Sequence, residues 1–270
     1  MPEHTSFFSY LLALFPALGE NMTALGHTLT GQPVTVHGAE PLAASLFVAV
    51  LVILLAIVTR SRIVNLDDAV IPENRLSLRT FMEIFIAYFY DMMKDMMGAK
   101  RAKRYFPLVG TFAMFILFSN LMGLVPGLNP PTSSLNVTAG CAIIVFVMFN
   151  YYGIKENGLH YFKHLLGPVW WLAPLILPIE ILSLCVRPVT LAVRLMMNMA
   201  VDHLLAGIML ALFALLLPIP LLVLGTLVCL IQVLVFCLLT SIYITLATEH
   251  EEHDESHGHP APAGAALPAH

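Results

Sequence analysis

The run from Leu221 to Thr248 contains no charged side chain, and it restricts the possible folds of this chain more than any other feature. A helix needs roughly 20 apolar residues to cross the hydrocarbon core of a bilayer, which is about 30 Å thick. This run is long enough to do so. The composition agrees, because 59% of the 270 residues are hydrophobic and only 11% are charged. The sequence therefore predicts an integral membrane protein.

Four further apolar segments have the length of membrane spans. They are Leu42–Thr59, Phe106–Pro126, Val137–Ile154 and Val169–Leu217, and the last of these is separated from the final run by the corner Pro218-Ile219-Pro220. Since Val169–Leu217 is far longer than one perpendicular crossing needs, it must tilt strongly, kink, or enter as a shallow stretch. We expect an all-α membrane protein with five transmembrane helices.

The segment Leu76–Met97, between the first two spans, mixes apolar and charged residues at helical spacing. Such a pattern predicts an interfacial amphipathic helix, although a solvated linker helix is the alternative. Its apolar residues include Phe81, Ile84, Phe85, Tyr88, Phe89, Met92, Met93 and Met96.

Basic residues predict the orientation. Residues 1–41 contain no Lys or Arg, whereas nine of the 13 basic residues lie between Arg60 and Arg104. Because basic loops stay on the cytoplasmic side, residues 1–41 are expected outside and the 60–104 segment inside. The membrane domain is then 42–248. Residues 249–270, which hold acids and histidines among Gly, Pro and Ala, are expected to form a disordered cytoplasmic tail.

Arg194 is the only charged residue between Val189 and Val201, in the middle of the fourth apolar segment. A guanidinium stays protonated, and placing one at the centre of a membrane helix costs about 2.5–3.5 kcal/mol on insertion scales. Charges inside a membrane therefore indicate an ion or proton pathway. The same segment carries further polar side chains: Glu180, Arg187, Asn198, Asp202 and His203.

Helical geometry groups these residues. Glu180, Arg187 and Arg194 are seven residues apart, so at about 100° per residue they stay within about 40° of one another. Asn198 and Asp202 extend this stripe. His203 follows Arg194 by nine residues and is expected on the opposite side. Glu180 lies roughly 21 Å from Arg194 along an unbroken helix, too far for a salt bridge.

The chemistry of these side chains divides their roles. Arg194 cannot release its proton, so it can hold a carboxylate ionised and repel a passing proton but cannot relay one. Glu180, Asp202 and His203 can titrate and relay protons. Two structural alternatives remain open: a Glu180–Arg187 ion pair, and a hydrogen-bonded core histidine at position 203.

At these residues the chain resembles subunit a of the F-type ATP synthase. The resemblance covers most of Leu42–His250, and its specific part is Ile179–Ser183 together with Arg187–Met199, which contains the family's Arg-Leu-x-x-Asn-Met core. A second match is Gln232 followed by Leu238–Tyr243, and a weaker one is Asn120–Pro126.

The resemblance implies a proton channel beside a rotating ring of c subunits. Arg194 would be the essential arginine facing the ring carboxylates, with Gln232 beside it on the neighbouring helix. The last two long helices would form a strongly tilted hairpin against the ring, and segment 60–104 would meet the b-subunit stalk. Glu180 and Ser183 would lie towards the inward half-channel and Asn198 and His203 towards the outward one. Asp202 and Gln232 would also belong to the proton path, and Arg187 and Tyr243 would support it.

The chain departs from the family pattern at three places. Asp202-His203 stands where many bacterial members have Gly-Glu, and Gly225 stands where many have a histidine. His203 is similar to the mitochondrial form, with Asp202 as an adjacent acid instead of one on the facing helix. Met196-Met197 replaces the usual aromatic and small residues, with no consequence that we can derive.

Other classes fit the sequence less well. A secondary ion transporter, or a channel subunit with a buried arginine counter-ion, is the main alternative, but no internal repeat is visible. A haem protein needs paired histidines on its spans, and only His203 lies in one. No nucleophile–base pair, metal motif or phosphate loop occurs, so we expect no catalytic site, cofactor, metal or nucleic-acid partner. The expected partners are other synthase subunits, the bilayer and protons, with Na⁺ left open.

Overall fold

The computed structural model describes residues 40–62, 77–125, 127–158, 173–212 and 218–248. Within these ranges it contains helices and one short 3-10 turn, Pro131–Ser133, without any strand. The predicted extracytoplasmic segment lies outside the described residues except at its end, and the acidic, histidine-rich tail lies wholly outside them. The helices are α1 (Glu40–Arg62), α2 (Leu78–Gly123), α3 (Leu135–Asn157), α4 (Ala173–Leu212) and α5 (Pro218–Thr248).

The prediction of an all-α protein with five spans is confirmed. Each of the five helices is long and apolar enough to cross a membrane. The protein is therefore a multi-pass membrane protein. Helix α4 has 40 residues, or about 60 Å at 1.5 Å per residue, twice the thickness of a hydrocarbon core.

Helix α2 consists of two arms joined at Gly98. Gly98 has φ 80° and ψ 158°, a conformation that residues with a Cβ rarely adopt, and it breaks the helix between residues 78–97 and 99–123. The arms fold back on each other, since the rings of Tyr90 and Phe106 lie 5.6 Å apart across the break. The segment predicted to be interfacial is thus helical and forms the first arm, and its place at the membrane surface remains a prediction.

The second arm of α2 packs with α3 and α5 around the main core. Tyr105, Val109 and Ile116 of α2 are buried there with Phe149 of α3 and Phe236 of α5. Inside a membrane such packing rests on close contact between side chains, because lipid is as apolar as the core itself. Leu191 and Leu195 of α4 belong to the same core, so four of the described helices contribute to it.

A polar clip closes one end of the α2–α3 pair. Arg104 Nη1 donates a hydrogen bond of 2.6 Å to Glu156 Oε1, and the hydroxyl of Tyr105 donates to the same oxygen. Tyr105 is fully buried, and its ring lies 4.6 Å from that of Tyr152. One carboxylate thereby ties two helices whose contacting residues are about 50 positions apart.

Helix α4 is the least covered of the five. Only 11% of its most apolar stretch is buried within the protein, against 44% for α2. Its covered side is the row Leu191, Ala192, Leu195 and Met199, at the three-and-four spacing of one helical face. The remaining surface of α4, which carries Arg194, faces away from the core.

Candidate functional site

Helices α4 and α5 run antiparallel, and two contacts give their register. The guanidinium of Arg187 lies 5.4 Å from the centre of the Tyr243 ring, and His203 lines one cavity together with Gly225. As the residue numbers rise along α4 they fall along α5. Arg194 on α4 and Gln232 on α5 each lie between these two contacts, in the middle part of the helix pair.

Arg194 is exposed on the outer surface of α4. Val193 and Met197, the apolar residues near it on the same surface, are 41% and 50% exposed. Leu195, which directly follows Arg194 in the chain, is completely buried. The charge therefore stands in an apolar surface rather than in the core. Such a surface can present a permanent cation to a partner inside the membrane, where a low dielectric strengthens its attraction to a carboxylate.

The structure separates Glu180 from Arg187. No ion pair joins them in the described part of the chain, and Arg187 instead stacks over Tyr243. This cation–π contact accounts for the Arg187 side chain without a carboxylate. Glu180 is half-buried and Ser183 is exposed, both on the same end of α4 as Arg187. The structural alternative for Glu180 is thus not supported.

A cavity of about 300 Å³ lies at the other end of the helix pair. Asp202 and His203 are its titratable lining residues, and Asp202 Oδ2 and His203 Nε2 are buried without a hydrogen-bond partner among the described residues. Buried polar atoms are normally satisfied by protein or by ordered water. A cavity of this size with such atoms in its wall is suited to hold water. The alternative of a fully hydrogen-bonded core histidine does not fit Nε2.

The sequence interpretation placed Asp202 on the Arg194 stripe and His203 on the opposite side. The structure brings both to one cavity. Neighbouring helix positions differ by only about 100°, and this cavity extends between the end of α2, α4 and the start of α5, so it reaches both side chains. Asn198 is half-buried one turn before Asp202, while Gln232 is buried on α5.

A second buried polar group joins α2 to the 3-10 turn, and the sequence pointed to it only through Asn120, in a weak family match. Thr132 Oγ1 donates a 3.0 Å hydrogen bond to Asn120 Oδ1, and both residues are completely buried. Asn120 Nδ2 and the neighbouring Ser119 Oγ have no partner within the described ranges. An asparagine inside an otherwise apolar run was the available signal, because an amide buried in a membrane needs partners.

The site offers no metal centre in the described part of the chain. No group of three or more His, Cys, Asp or Glu side chains there is arranged to hold a metal ion. The described cysteines are free, and Cys141, Cys229 and Cys237 are buried as small apolar side chains.

Comparisons with known proteins agree with the resemblance. The family model described as ATP synthase A chain matches residues 6–245. The chain is 57% identical over 254 residues to ATP synthase subunit a of Sorangium cellulosum, covering 94% of this chain and 100% of that protein. It is 48% identical over 167 residues to ATP synthase subunit a of Geobacter sulfurreducens, covering 62% of this chain and 72% of the relative. The chain therefore belongs to the ATP synthase subunit a family.

Proposed function

We propose that this chain is the stator half of a proton channel, with Arg194 facing the carboxylates of a rotating c-ring and one water-filled half-channel on either side of that arginine. The alternative of a secondary transporter has no support from the family assignment. Proton flow through the two half-channels would turn the ring and so drive ATP synthesis by partner subunits.

The observation that carries this proposal is the exposure of α4. The helix with the most intramembrane charge is also the one least covered by the rest of the chain. Scattered exposed apolar residues can face lipid, but a guanidinium facing lipid is costly. A partner that supplies an opposite charge removes this cost, and a ring of carboxylate-bearing helices is such a partner.

Arginine suits this position because it keeps its charge throughout. As each ring carboxylate passes, the guanidinium of Arg194 would favour the ionised form and so promote release of the proton it carries. The same charge would repel a proton moving directly from one half-channel to the other. Gln232, in the middle of α5, would contribute a polar amide next to this passage.

The two half-channels would occupy opposite ends of α4. The cavity at Asp202 and His203 supports the outward one, with Asn198 between it and Arg194. His203 lies nine residues beyond Arg194, about 14 Å along the helix. Glu180 and Ser183 would line the inward one, about 21 Å away in the other direction. Arg187 and Tyr243 would brace the helix pair between Arg194 and Glu180.

The proposed orientation has the N-terminus outside and the C-terminus in the cytoplasm. In this arrangement α4 and α5 tilt strongly as a hairpin, since α4 is about twice as long as the hydrocarbon core. The first arm of α2 would lie on the cytoplasmic side and meet the b-subunit stalk. Cysteines introduced at His4 and Ser256 should react with impermeant thiol reagents from outside and inside respectively, and the reverse pattern would contradict the orientation.

The test of the proposal is proton pumping by Arg194 variants in inverted vesicles with equal amounts of assembled complex. Arg194→Ala should abolish ATP-driven pumping while the complex still assembles. Arg194→Lys should also fail substantially, because lysine lacks the planar fork and can lose its proton when buried. Lys155→Ala is the matched control, since Lys155 is an exposed basic residue in the last turn of α3. Near-normal pumping by Arg194→Ala would refute the proposal.

A further inference from the structure

Gly123, the last residue of α2, lies against the inner wall of the Asp202–His203 cavity. A Cβ built on Gly123 would lie 3.1 Å from His203 Nε2, and 3.0 Å and 3.2 Å from Cγ and Cβ of Pro130. Contacts this short force a neighbour to shift by a few tenths of an ångström. The imidazole of His203 therefore occupies space that a side chain at position 123 would take.

The backbone conformation at position 123 does not explain why this residue is a glycine. Its φ is not positive, unlike that of Gly98, Gly127 and Gly158. A helical position without positive φ is more stable with alanine than with glycine, so glycine has a cost here. The close approach of His203 and Pro130 is the feature of the structure that requires the missing side chain.

We propose that Gly123 is a positioning residue for His203. By lacking a Cβ, it leaves room for the imidazole against the end of α2, where Nε2 is buried, and the cavity itself stays open. A side chain at 123 would push the imidazole into the cavity, where it would occupy the space that holds water. This inference rests on the proposed role of the cavity as a half-channel.

The two neighbours of Gly123 differ in what they can do when a methyl group is added. Pro130 belongs to the turn that leads into the 3-10 segment, and its ring is fixed to the backbone. His203 is joined to α4 by rotatable bonds and can swing away. The imidazole is therefore the group expected to move. It would fill the part of the cavity next to Asp202 and displace water from it.

The test compares Gly123→Ala with Gly140→Ala in the whole synthase complex. Gly140 lies on α3, and a Cβ there would meet nothing within 4 Å. We expect Gly123→Ala to lower coupled proton pumping several-fold and Gly140→Ala to leave it unchanged. The independent readout is carbethoxylation of His203 by diethylpyrocarbonate, measured by mass spectrometry of the peptide. It should rise several-fold in Gly123→Ala, because Nε2 leaves its buried position.

Further variants separate the two contacts. Adding Pro130→Gly, which removes both Cγ and Cβ at position 130, to Gly123→Ala should not restore pumping, since the contact with His203 remains, and restoration would overturn the inference. Unchanged carbethoxylation in Gly123→Ala would also overturn it. If Gly123→Ala does not assemble, adding His203→Ala should restore assembly, and failure to do so counts against the inference. Increased carbethoxylation of His203 in Gly123→Ala would uphold the positioning role. If the single variant His203→Ala also pumped normally, the positioning role would stand but the proposed half-channel would be refuted.

Discussion

The second arm of α2, helix α3 and helix α4 are apolar over most of their length, yet their charged side chains are placed differently. Where the second arm of α2 pairs with α3, the charged side chains are collected at one end, and Glu156 accepts hydrogen bonds there from both Arg104 and Tyr105. In α4 the charged and titratable side chains are spread along the middle, and Arg194 has no carboxylate near it among the described residues. Glu156 and Arg104 are thus paired within this chain, whereas Arg194 forms no ion pair among the described residues.

This difference separates stability from function. A membrane helix that carries unpaired charge and little burial contributes less to the fold than one that is packed on all sides. Apart from Arg187, which stacks on Tyr243, our proposal assigns the charges of α4 to contacts outside this chain. We therefore expect substitutions in the core to change stability and substitutions on the exposed surface of α4 to change coupling.

The largest stability effect is expected in the core. Phe149→Ala removes the phenyl ring of a residue that is only 1% exposed. In water-soluble proteins such a change costs about 3–5 kcal/mol, and here about 3 kcal/mol is expected because the unfolded ring faces lipid rather than water. Leu182→Ala on α4, where the side chain is 64% exposed, should change the free energy of unfolding by about 0.5 kcal/mol or less.

Denaturation of the isolated chain in mild detergent measures both variants. Equal destabilisation by Phe149→Ala and Leu182→Ala would mean that α4 is packed as tightly as the core, and the comparison would fail.

A smaller effect is expected at the polar clip. Glu156→Ala leaves the buried hydroxyl of Tyr105 without its acceptor, which costs about 1–3 kcal/mol. Glu83→Ala is the control, because its carboxylate is 39% exposed and pairs with Arg79 one helical turn away, a contact worth about 0.3–0.5 kcal/mol. The same denaturation assay ranks the two, and a Glu83→Ala loss equal to that of Glu156→Ala would refute the clip.

The spans were predictable because the length of an apolar run is set by the thickness of the bilayer. The position of Gly98 within a mixed apolar and charged segment did not predict the reversal of α2. A glycine alone does not say which conformation it adopts, and the contact of Tyr90 with Phe106 depends on tertiary packing. For the same reason the sequence could not show that Asp202 and His203 share one cavity.

The titratable residues on α4 were found from the sequence because intramembrane charge is rare and therefore informative. The close approach of His203 to Gly123 was not found, since it brings a side chain from 80 residues later in the chain within 3.1 Å of a Cβ built at position 123. Contacts between helices distant in sequence are what a single sequence leaves undetermined. The stacking of Arg187 on Tyr243 is of the same kind.

The most direct test of the central claim is crosslinking from the exposed surface that flanks Arg194. Cysteines at Val193 and Met197 should form crosslinks to cysteines in the membrane helices of co-expressed c subunits. A cysteine at Ile53, which is 58% exposed on α1, should form none, although Ile53 is more exposed than Val193 or Met197. Crosslinks from α4 and none from α1 are the predicted result. Absence of crosslinks from both α4 positions in active complexes would contradict the claim that Arg194 faces the ring.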